Sequence, residues 1–212
     1  NVDKARTDLF ESKTVFRGFQ IQKLPAVNTH ASHDVSLTRL DIVDDSTADM
    51  VSTVKDLDAL IITVGFVTDP FTLGNPFKMK AASRNVDNVG VCRLVDAAKK
   101  GRVKKVILLS SILTNARAWG QTKSPGFLFT NALGNVLDEK LVAETYLRNS
   151  GLEYTIIRAA ELKERPSSGY MVVSKEDTLC SGEISRDLVA EFCVHNILDK
   201  KYVNKVVEIF EN

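Results

Sequence analysis

The sequence predicts an α/β fold built on a doubly wound parallel sheet. Residues 103–114, VKKVILLSSILT, form a short β-branched apolar run between polar residues, which is typical of a strand buried on both faces of such a sheet. Segments with helical periodicity flank it at 84–99 and 132–149, so strands and helices alternate as in a βαβ series. Ligands bind such sheets beyond the carboxyl ends of the strands, which here places the expected site at Ser110, Ser111 and the following loop.

Composition limits the classes of protein to consider. The chain has 212 residues, 44% hydrophobic and 26% charged, which is enough for one substantial core, and we expect a single domain over residues 1–212. The net charge is +1 and the basic residues are dispersed, so nothing favours nucleic acid as a partner. No apolar stretch approaches the ~20 residues of a transmembrane helix, so no transmembrane span is predicted.

The cysteines and histidines do not predict a metal site. Cys92, Cys180 and Cys193 are far apart without paired spacing, which favours free, buried thiols in a reducing compartment. His30 and His33 are close in sequence, but they lie in the polar stretch THASHD, where a solvated histidine is commoner than a metal ligand.

The remaining elements follow from periodicity, capping residues and glycines. Residues 11–34 form a polar connection that is long for a compact domain, so we interpret them as an irregular insertion. Strands are predicted at 37–43, 57–64, 153–158, 170–173 and 205–210, and helices at 3–10, at 46–55 with Ser46 as N-cap, and at 186–198 with Ser185 as N-cap.

Several motifs occur in a recognisable order. DxxDD follows one strand and TVGF the next, NVDNVG opens a helix, and ILLSSI, YTIIR and EDTLCSGEISRDLVAEFCV come later. This order resembles the atypical short-chain dehydrogenase/reductase family, NmrA-like NAD(P)-binding Rossmann proteins, and particularly its plant plastid NAD(P)-binding-domain members. The resemblance covers nearly the whole chain apart from 11–34. It implies a Rossmann-like sheet, an NAD(P) cofactor, and a plastid location in the chloroplast stroma or on the thylakoid surface.

The first βαβ portion of such a fold is missing from this sequence. Neither GxxGxxG nor GxGxxG occurs among the eleven glycines, so the phosphate-binding loop is not present. In the strand order that the resemblance implies, 37–43 and 57–64 would be separated by two absent strands. Each buried, unpaired backbone group would cost about 1–3 kcal/mol. We therefore expect the natural protein to extend roughly 40 residues further upstream, the length of a βαβ start.

The resemblance also implies the residues that bind the cofactor. Asp41 would border the adenine, Gly65 would let the backbone approach the cofactor, and Lys140 would hold the nicotinamide ribose. Asn88 would stabilise the helix near the site. Simpler interpretations remain open for three of them: a solvated acid at a strand end for Asp41, an ordinary polar group of a helix for Asn88, and a surface lysine for Lys140.

Catalysis is in doubt because the expected proton donor is absent. Ser111 and Lys140 match the catalytic serine and lysine, but the tyrosine expected four residues before Lys140 is Val136. Tyr146 and Tyr154 are not evident replacements. Two functions stay open: a non-catalytic or weakly catalytic NAD(P)-binding subunit, and an NAD(P)H-dependent oxidoreductase acting on a small, hydrophobic substrate.

Two further segments bear on ligands and partners. The usual Pro-Gly-Gly after the sixth strand is altered to Ala-Ala-Glu, which places the Glu161 carboxylate near the expected nicotinamide, where Lys163 or Arg158 would neutralise it. The apolar stretch 125–136 is interpreted either as a lid over the site or as a face for a partner or a membrane surface. Residues 11–34 and 127–133 are accordingly the expected contacts with protein subunits of a plastid complex, such as a thylakoid photosynthetic one.

Overall fold

A computed structural model describes residues 13–17, 20–24, 36–68, 74–167 and 169–212. The chain divides into two compact units, Asn1–Asp41 and Ile42–Asn212. In the first unit, strands β1 (Lys13–Arg17) and β2 (Gln20–Leu24) form an antiparallel pair, so the segment expected to be irregular contains regular structure. The predicted helix at 3–10 and the two N-terminal histidines lie outside the described residues.

The second unit is built on a five-stranded sheet in the order β3-β4-β5-β9-β7. The sheet is parallel except for β7, which runs antiparallel to β9, and β6 forms a separate short parallel pair with β8. The predicted Rossmann-like α/β class is therefore confirmed. The strands are β3 (Ala59–Ile62), β4 (Lys105–Ser111), β5 (Glu153–Ala159), β6 (Glu161–Lys163), β7 (Met171–Lys175), β8 (Glu183–Ser185) and β9 (Lys205–Glu211).

The helices begin at the capping residues that the sequence indicates. Ser46 accepts a hydrogen bond from the Asp49 amide, and Ser185 accepts one from the Leu188 amide, as predicted. In the described part of the chain, no helix has the length and apolar character needed to cross a membrane. The helices are α1 (Thr47–Val54), α2 (Pro76–Ser83), α3 (Val91–Lys100), α4 (Pro125–Ala132), α5 (Val136–Arg148) and α6 (Arg186–Leu198), with a π-helix, Arg84–Gly90, between α2 and α3.

The prediction of a strand at 37–43 is wrong, because this segment is irregular and ends in a turn. The carbonyl groups of Ile42, Val43 and Asp45 accept hydrogen bonds from the Arg93 guanidinium instead of from a neighbouring strand. The partly buried Arg93 side chain on α3 thus provides hydrogen bonds in place of those that a neighbouring strand would provide.

The helix predicted at 132–149 is shorter than expected and is preceded by another helix. Gly134 (φ 102°) and Asn135 (φ 60°) have left-handed backbones, which end α4 and delay the start of α5 to Val136. Ser124 caps α4 and Pro125 occupies its first turn. This serine-proline pair is the sequence signal for α4, a helix that was not predicted from the sequence.

Alternate residues of the sheet face opposite layers. Ile107, Ile157 and Ile209 pack in an apolar core with Val189 and Phe192 of α6. Residues of the opposite parity face α5 and include buried polar side chains: Ser110, Arg158 and Glu208. The α5 face therefore has a charged interior beneath the carboxyl ends of the strands.

Candidate functional site

Gly65 and Lys140, two of the predicted cofactor-binding residues, meet beyond the carboxyl end of β3. A Cβ atom built on Gly65 would lie 3.5 Å from Lys140 Nζ and 3.6 Å from Asp87 Oδ1. Lys140 Nζ is 2.9 Å from Asp87 Oδ1, and the side chains are 17% and 0% exposed. Lys140 is thus a largely buried, ion-paired residue rather than a surface lysine. The Lys140 ammonium group and the backbone of Gly65, which has no side chain, therefore lie close together at this edge of the sheet.

Asp87 is the site residue that the sequence reasoning missed, although it lies within the NVDNVG motif. Its carboxylate accepts hydrogen bonds from Ser83 Oγ at 3.2 Å and from the Phe66 amide at 3.3 Å, in addition to the ion pair with Lys140. The π-helix carries Asp87, and π-helical turns are often found at functional sites. Asp87 therefore links the backbone after Gly65 to α5 and fixes the position of the Lys140 ammonium group.

Asn88 and Asp41 have different surroundings. Asn88 Nδ2 donates to Glu139 Oε2 at 2.7 Å and so ties the π-helix to α5 beside Lys140. Asp41 belongs to the first unit, where its carboxylate lies 3.9 Å from Arg39 Nη2. The proposed contact of Asp41 with adenine stays a prediction.

Ser111, at the carboxyl end of β4, borders a pocket of about 410 Å³ that we call the Ser111 pocket. One wall comes from the first turns of α4, and another comes from the segment between β7 and β8. The placement of α4 here supports the interpretation of residues 125–136 as a cover over the site. The lining residues are Ser111, Ile112, Leu113, Pro125, Gly126, Phe129, Thr130, Leu137, Glu161, Cys180, Ser181 and Gly182.

The Glu161 carboxylate at this pocket is neutralised by a neighbouring lysine. Lys163 Nζ lies 2.7 Å from Glu161 Oε1 and 3.1 Å from Glu183 Oε1. Both carboxylates raise the pKa of Lys163, Glu161 contributing more, so the lysine stays charged at neutral pH. Of the two cations considered for this role, Lys163 is the one that pairs with Glu161, because Arg158 is directed into the interior.

The position of the expected proton donor is apolar and buried. Val136 is the first residue of α5, one turn before Lys140. The Tyr146 hydroxyl donates to Asp96 Oδ1 at 2.7 Å, and this bond raises the pKa of Tyr146. Tyr154 lies near the amino end of β5, at the opposite end of the strand from the site. Neither tyrosine takes the place of the missing acid.

Beneath the site, Arg158, Glu144, Asp177 and Glu208 form a charged group that we call the Arg158 cluster. Arg158 Nη2 is 2.8 Å from Glu144 Oε2, and Arg158 Nη1 is 2.7 Å from Asp177 Oδ1 and 3.6 Å from Glu208 Oε1. Burial acts to lower the pKa of Arg158, but the neighbouring carboxylates, Glu144 first, raise it above its ordinary value. The guanidinium is therefore charged at any physiological pH.

The three cysteines are free, but Cys180 is exposed rather than buried. Burial raises the pKa of Cys92 to about 11, with a further contribution from Asp96, and burial alone raises that of Cys193 to about 11. These two thiols are protonated at neutral pH and react slowly. Across the described residues, no group of three or more His, Cys, Asp or Glu side chains could hold a metal ion.

A mostly parallel sheet with a candidate site at the carboxyl ends of its strands is the architecture of Rossmann-type dinucleotide-binding proteins. The model of one family, described as NAD(P)H-binding, matches residues 11–200, and the chain belongs to that family. The resemblance to atypical short-chain dehydrogenases/reductases is thereby confirmed.

Two plant proteins are similar to this chain in sequence. An uncharacterised chloroplastic protein of Arabidopsis thaliana is 40% identical over 201 residues, covering 91% of this chain and 68% of that protein. Sanguinarine reductase of Eschscholzia californica is 35% identical over 128 residues, covering 58% of this chain but only 44% of the reductase.

One solved structure shows the same fold. The oxidoreductase YlbE of Lactococcus lactis superposes with a TM-score of 0.68 at 23% identity, over 89% of this chain and 75% of that one.

The residues on the β3 side of the site fit one part of a nicotinamide dinucleotide. Gly65 has no side chain beside the Lys140 ammonium group, and this fixed ammonium group would donate hydrogen bonds to ribose hydroxyls if a nicotinamide ribose bound here. When bound, the nicotinamide supplies hydride transfer. In this chain, Asp87 fixes the Lys140 ammonium group, and Ser111 lines the Ser111 pocket.

Proposed function

We propose that this protein binds NAD(P) at the carboxyl ends of β3 and β4 and is non-catalytic or weakly catalytic. The observation that carries the proposal is the Asp87–Lys140 ion pair beside Gly65, one helical turn from a buried valine at the position of the proton donor. The ion pair holds a cation where a ribose would bind. Without a donor at position 136, reduction of a carbonyl group would be slow.

We further propose that the protein works in a plastid, in the stroma or on the thylakoid surface, as a binding or assembly subunit. The chloroplastic relative supports the plastid location. On α4, Leu128 is 57% exposed and Phe129 75% exposed, whereas Phe127 is buried in the core. Within residues 127–133, we therefore propose these two exposed side chains as the contact with a partner subunit. Residues 11–34 are the second proposed contact.

Binding of the cofactor is tested with Gly65→Ala. The new methyl group fits the protein, since its contacts of 3.5 and 3.6 Å are ordinary van der Waals distances, but it occupies the space through which the cofactor approaches. We expect the affinity for NADPH, measured by calorimetry, to fall at least about tenfold while the free energy of unfolding changes by less than about 1 kcal/mol. Lys104→Ala, in an exposed ion pair next to the amino end of β4, is the control and should bind NADPH normally.

Equal affinities in the Gly65→Ala variant and the unmodified protein would contradict the proposed site. Rapid turnover would contradict the weakly catalytic character. If the unmodified protein reduces an aromatic carbonyl compound at ordinary enzymic rates of ~1–10³ per second, the alternative function applies.

That alternative is an NAD(P)H-dependent oxidoreductase acting on a small, hydrophobic substrate. The Ser111 pocket favours it, since apolar residues such as Leu113 and Phe129 line this pocket together with Ser111. The relative named sanguinarine reductase supports the same reaction class.

The subunit role is tested with the double variant Leu128→Ser/Phe129→Ser. These side chains are exposed, so the substitutions should leave the free energy of unfolding within about 1 kcal/mol of the unmodified value. We expect the unmodified protein to migrate in a large complex on native gels of plastid extracts and the variant to migrate as a smaller species. Migration of the unmodified protein as a free monomer would contradict the subunit role.

A further inference from the structure

The Arg158 cluster is separate from the residues proposed to hold the cofactor, and three of its four charged side chains are deeply buried. Glu144, Arg158 and Glu208 are each 0–1% exposed. Arg158 and Glu208 are register partners on β5 and β9, and Glu144 reaches them from α5. Buried charges are costly unless each is paired and hydrogen-bonded, so the partners of each carboxylate indicate what the cluster organises.

Glu208 holds the backbone that follows β7. Its carboxylate accepts hydrogen bonds from three consecutive amides, those of Asp177 (2.9 Å), Thr178 (3.0 Å) and Leu179 (2.7 Å). The Thr178 hydroxyl adds a fourth at 3.2 Å. Arg158 attaches the same segment through its ion pair with the Asp177 carboxylate.

The residues that follow these amides form a wall of the Ser111 pocket. Cys180, Ser181 and Gly182 line it on the side that faces α4. The Gly182 carbonyl accepts a hydrogen bond of 3.1 Å from the Glu161 amide, which fixes the far end of the wall. Glu208 fixes the near end, whereas Glu144 binds Ser110, Thr114 and Arg158.

We propose that Glu208, oriented by Arg158, is a positioning residue that holds residues 177–182 as a wall of the Ser111 pocket. Glu208 itself touches neither the cofactor nor the pocket. It acts through the backbone amides, and so determines the shape of the space next to the Ser111 hydroxyl. The inference deepens the proposed function, because this pocket adjoins the proposed cofactor site.

Glu208→Gln and Glu144→Gln form a matched pair of variants. Each substitution removes one buried negative charge that interacts with Arg158, and each keeps the shape of the side chain. Only Glu208→Gln places an amide NH₂ group against backbone N–H donors, so only this variant should release residues 177–179. We expect their amide hydrogen exchange, followed by mass spectrometry, to become about tenfold faster in Glu208→Gln, the equivalent of one hydrogen bond to a charged group. In Glu144→Gln the rate should stay within about twofold.

The rate at which iodoacetamide alkylates Cys180 measures a change in the wall of the Ser111 pocket directly, because Cys180 is one of the residues of that wall. Cys92, which is partly buried, and Cys193, which is buried, react slowly because burial raises the pKa of each thiol to about 11. Cys180 therefore dominates the alkylation signal, and peptide mapping assigns it. We expect the alkylation rate of Cys180 to change in Glu208→Gln and to stay the same in Glu144→Gln. Equal exchange and equal alkylation in the two variants would overturn the proposal, as would faster exchange without any change at Cys180.

Asp177→Asn provides a milder test if Glu208→Gln folds poorly. Asp177 has a left-handed backbone (φ 61°) that asparagine readily adopts, so the substitution removes the negative charge that pairs with Arg158 without straining the chain. Faster exchange at 177–179 is expected here too, and an unchanged rate counts against the proposal. Affinity for NADPH should be normal in all three variants; a protein that binds no NADPH refutes the proposed function and leaves the exchange result standing.

Discussion

Replacement of Arg158 by methionine is expected to lower the free energy of unfolding by about 3–5 kcal/mol. The Arg158 guanidinium lies against Glu144, Asp177 and Glu208, and its own side chain is 1% exposed. Methionine has a similar apolar stem but leaves the buried carboxylates without their cation. The loss of stability comes from buried negative charges that have lost their cation rather than from a cavity. It should be the largest loss caused by any single ion-pair substitution in the described part of the chain.

Urea denaturation measures this loss, and Arg117→Met is its control. Arg117 also pairs with a carboxylate, that of Asp138, through hydrogen bonds of 2.8 Å, and this pairing holds the pKa of Asp138 below its usual value. The Arg117 side chain is 60% exposed, so the same substitution should cost no more than about 1 kcal/mol. A loss in Arg158→Met as small as the loss expected for Arg117→Met would show that the Arg158 charge contributes little.

Lys140→Met should lower the free energy of unfolding by about 2–3 kcal/mol and also abolish measurable binding of NADPH. The Asp87 carboxylate is fully buried, and its remaining donors, Ser83 Oγ and the Phe66 amide, cannot neutralise it. The variant therefore loses stability through Asp87 and loses ligand affinity through the missing ammonium group. The two losses have separate causes.

A double-mutant cycle with Asp87→Asn separates these causes. Asp87→Asn/Lys140→Met removes both charges, so we expect it to be only about 1 kcal/mol less stable than the unmodified protein. Its affinity for NADPH should remain low, because methionine cannot bind a ribose. Recovery of affinity in the double variant would show that Lys140 serves only to neutralise Asp87.

Local signals were sufficient to predict most of the fold. The apolar run of β4 and the capping residues Ser46 and Ser185 predicted their elements closely, because strand burial and helix capping depend on neighbouring residues in the sequence. The absence of a tyrosine at position 136 is likewise visible in the sequence alone, and the structure adds only that Val136 is buried.

The amino-acid sequence alone was enough to predict the α/β class, the five strands of the central sheet and the doubt about catalysis. Only the folded structure shows which groups these buried carboxylates bind: Asp87 pairs with Lys140, and Glu208 accepts hydrogen bonds from the amides of residues 177–179. An isolated aspartate or glutamate in a sequence has the character of a solvated surface residue. The role of such a carboxylate depends on a cation or on backbone amides that are distant in the sequence. These groups come close only when the sheet and α5 pack together, so periodicity and motif spacing cannot predict the pairing.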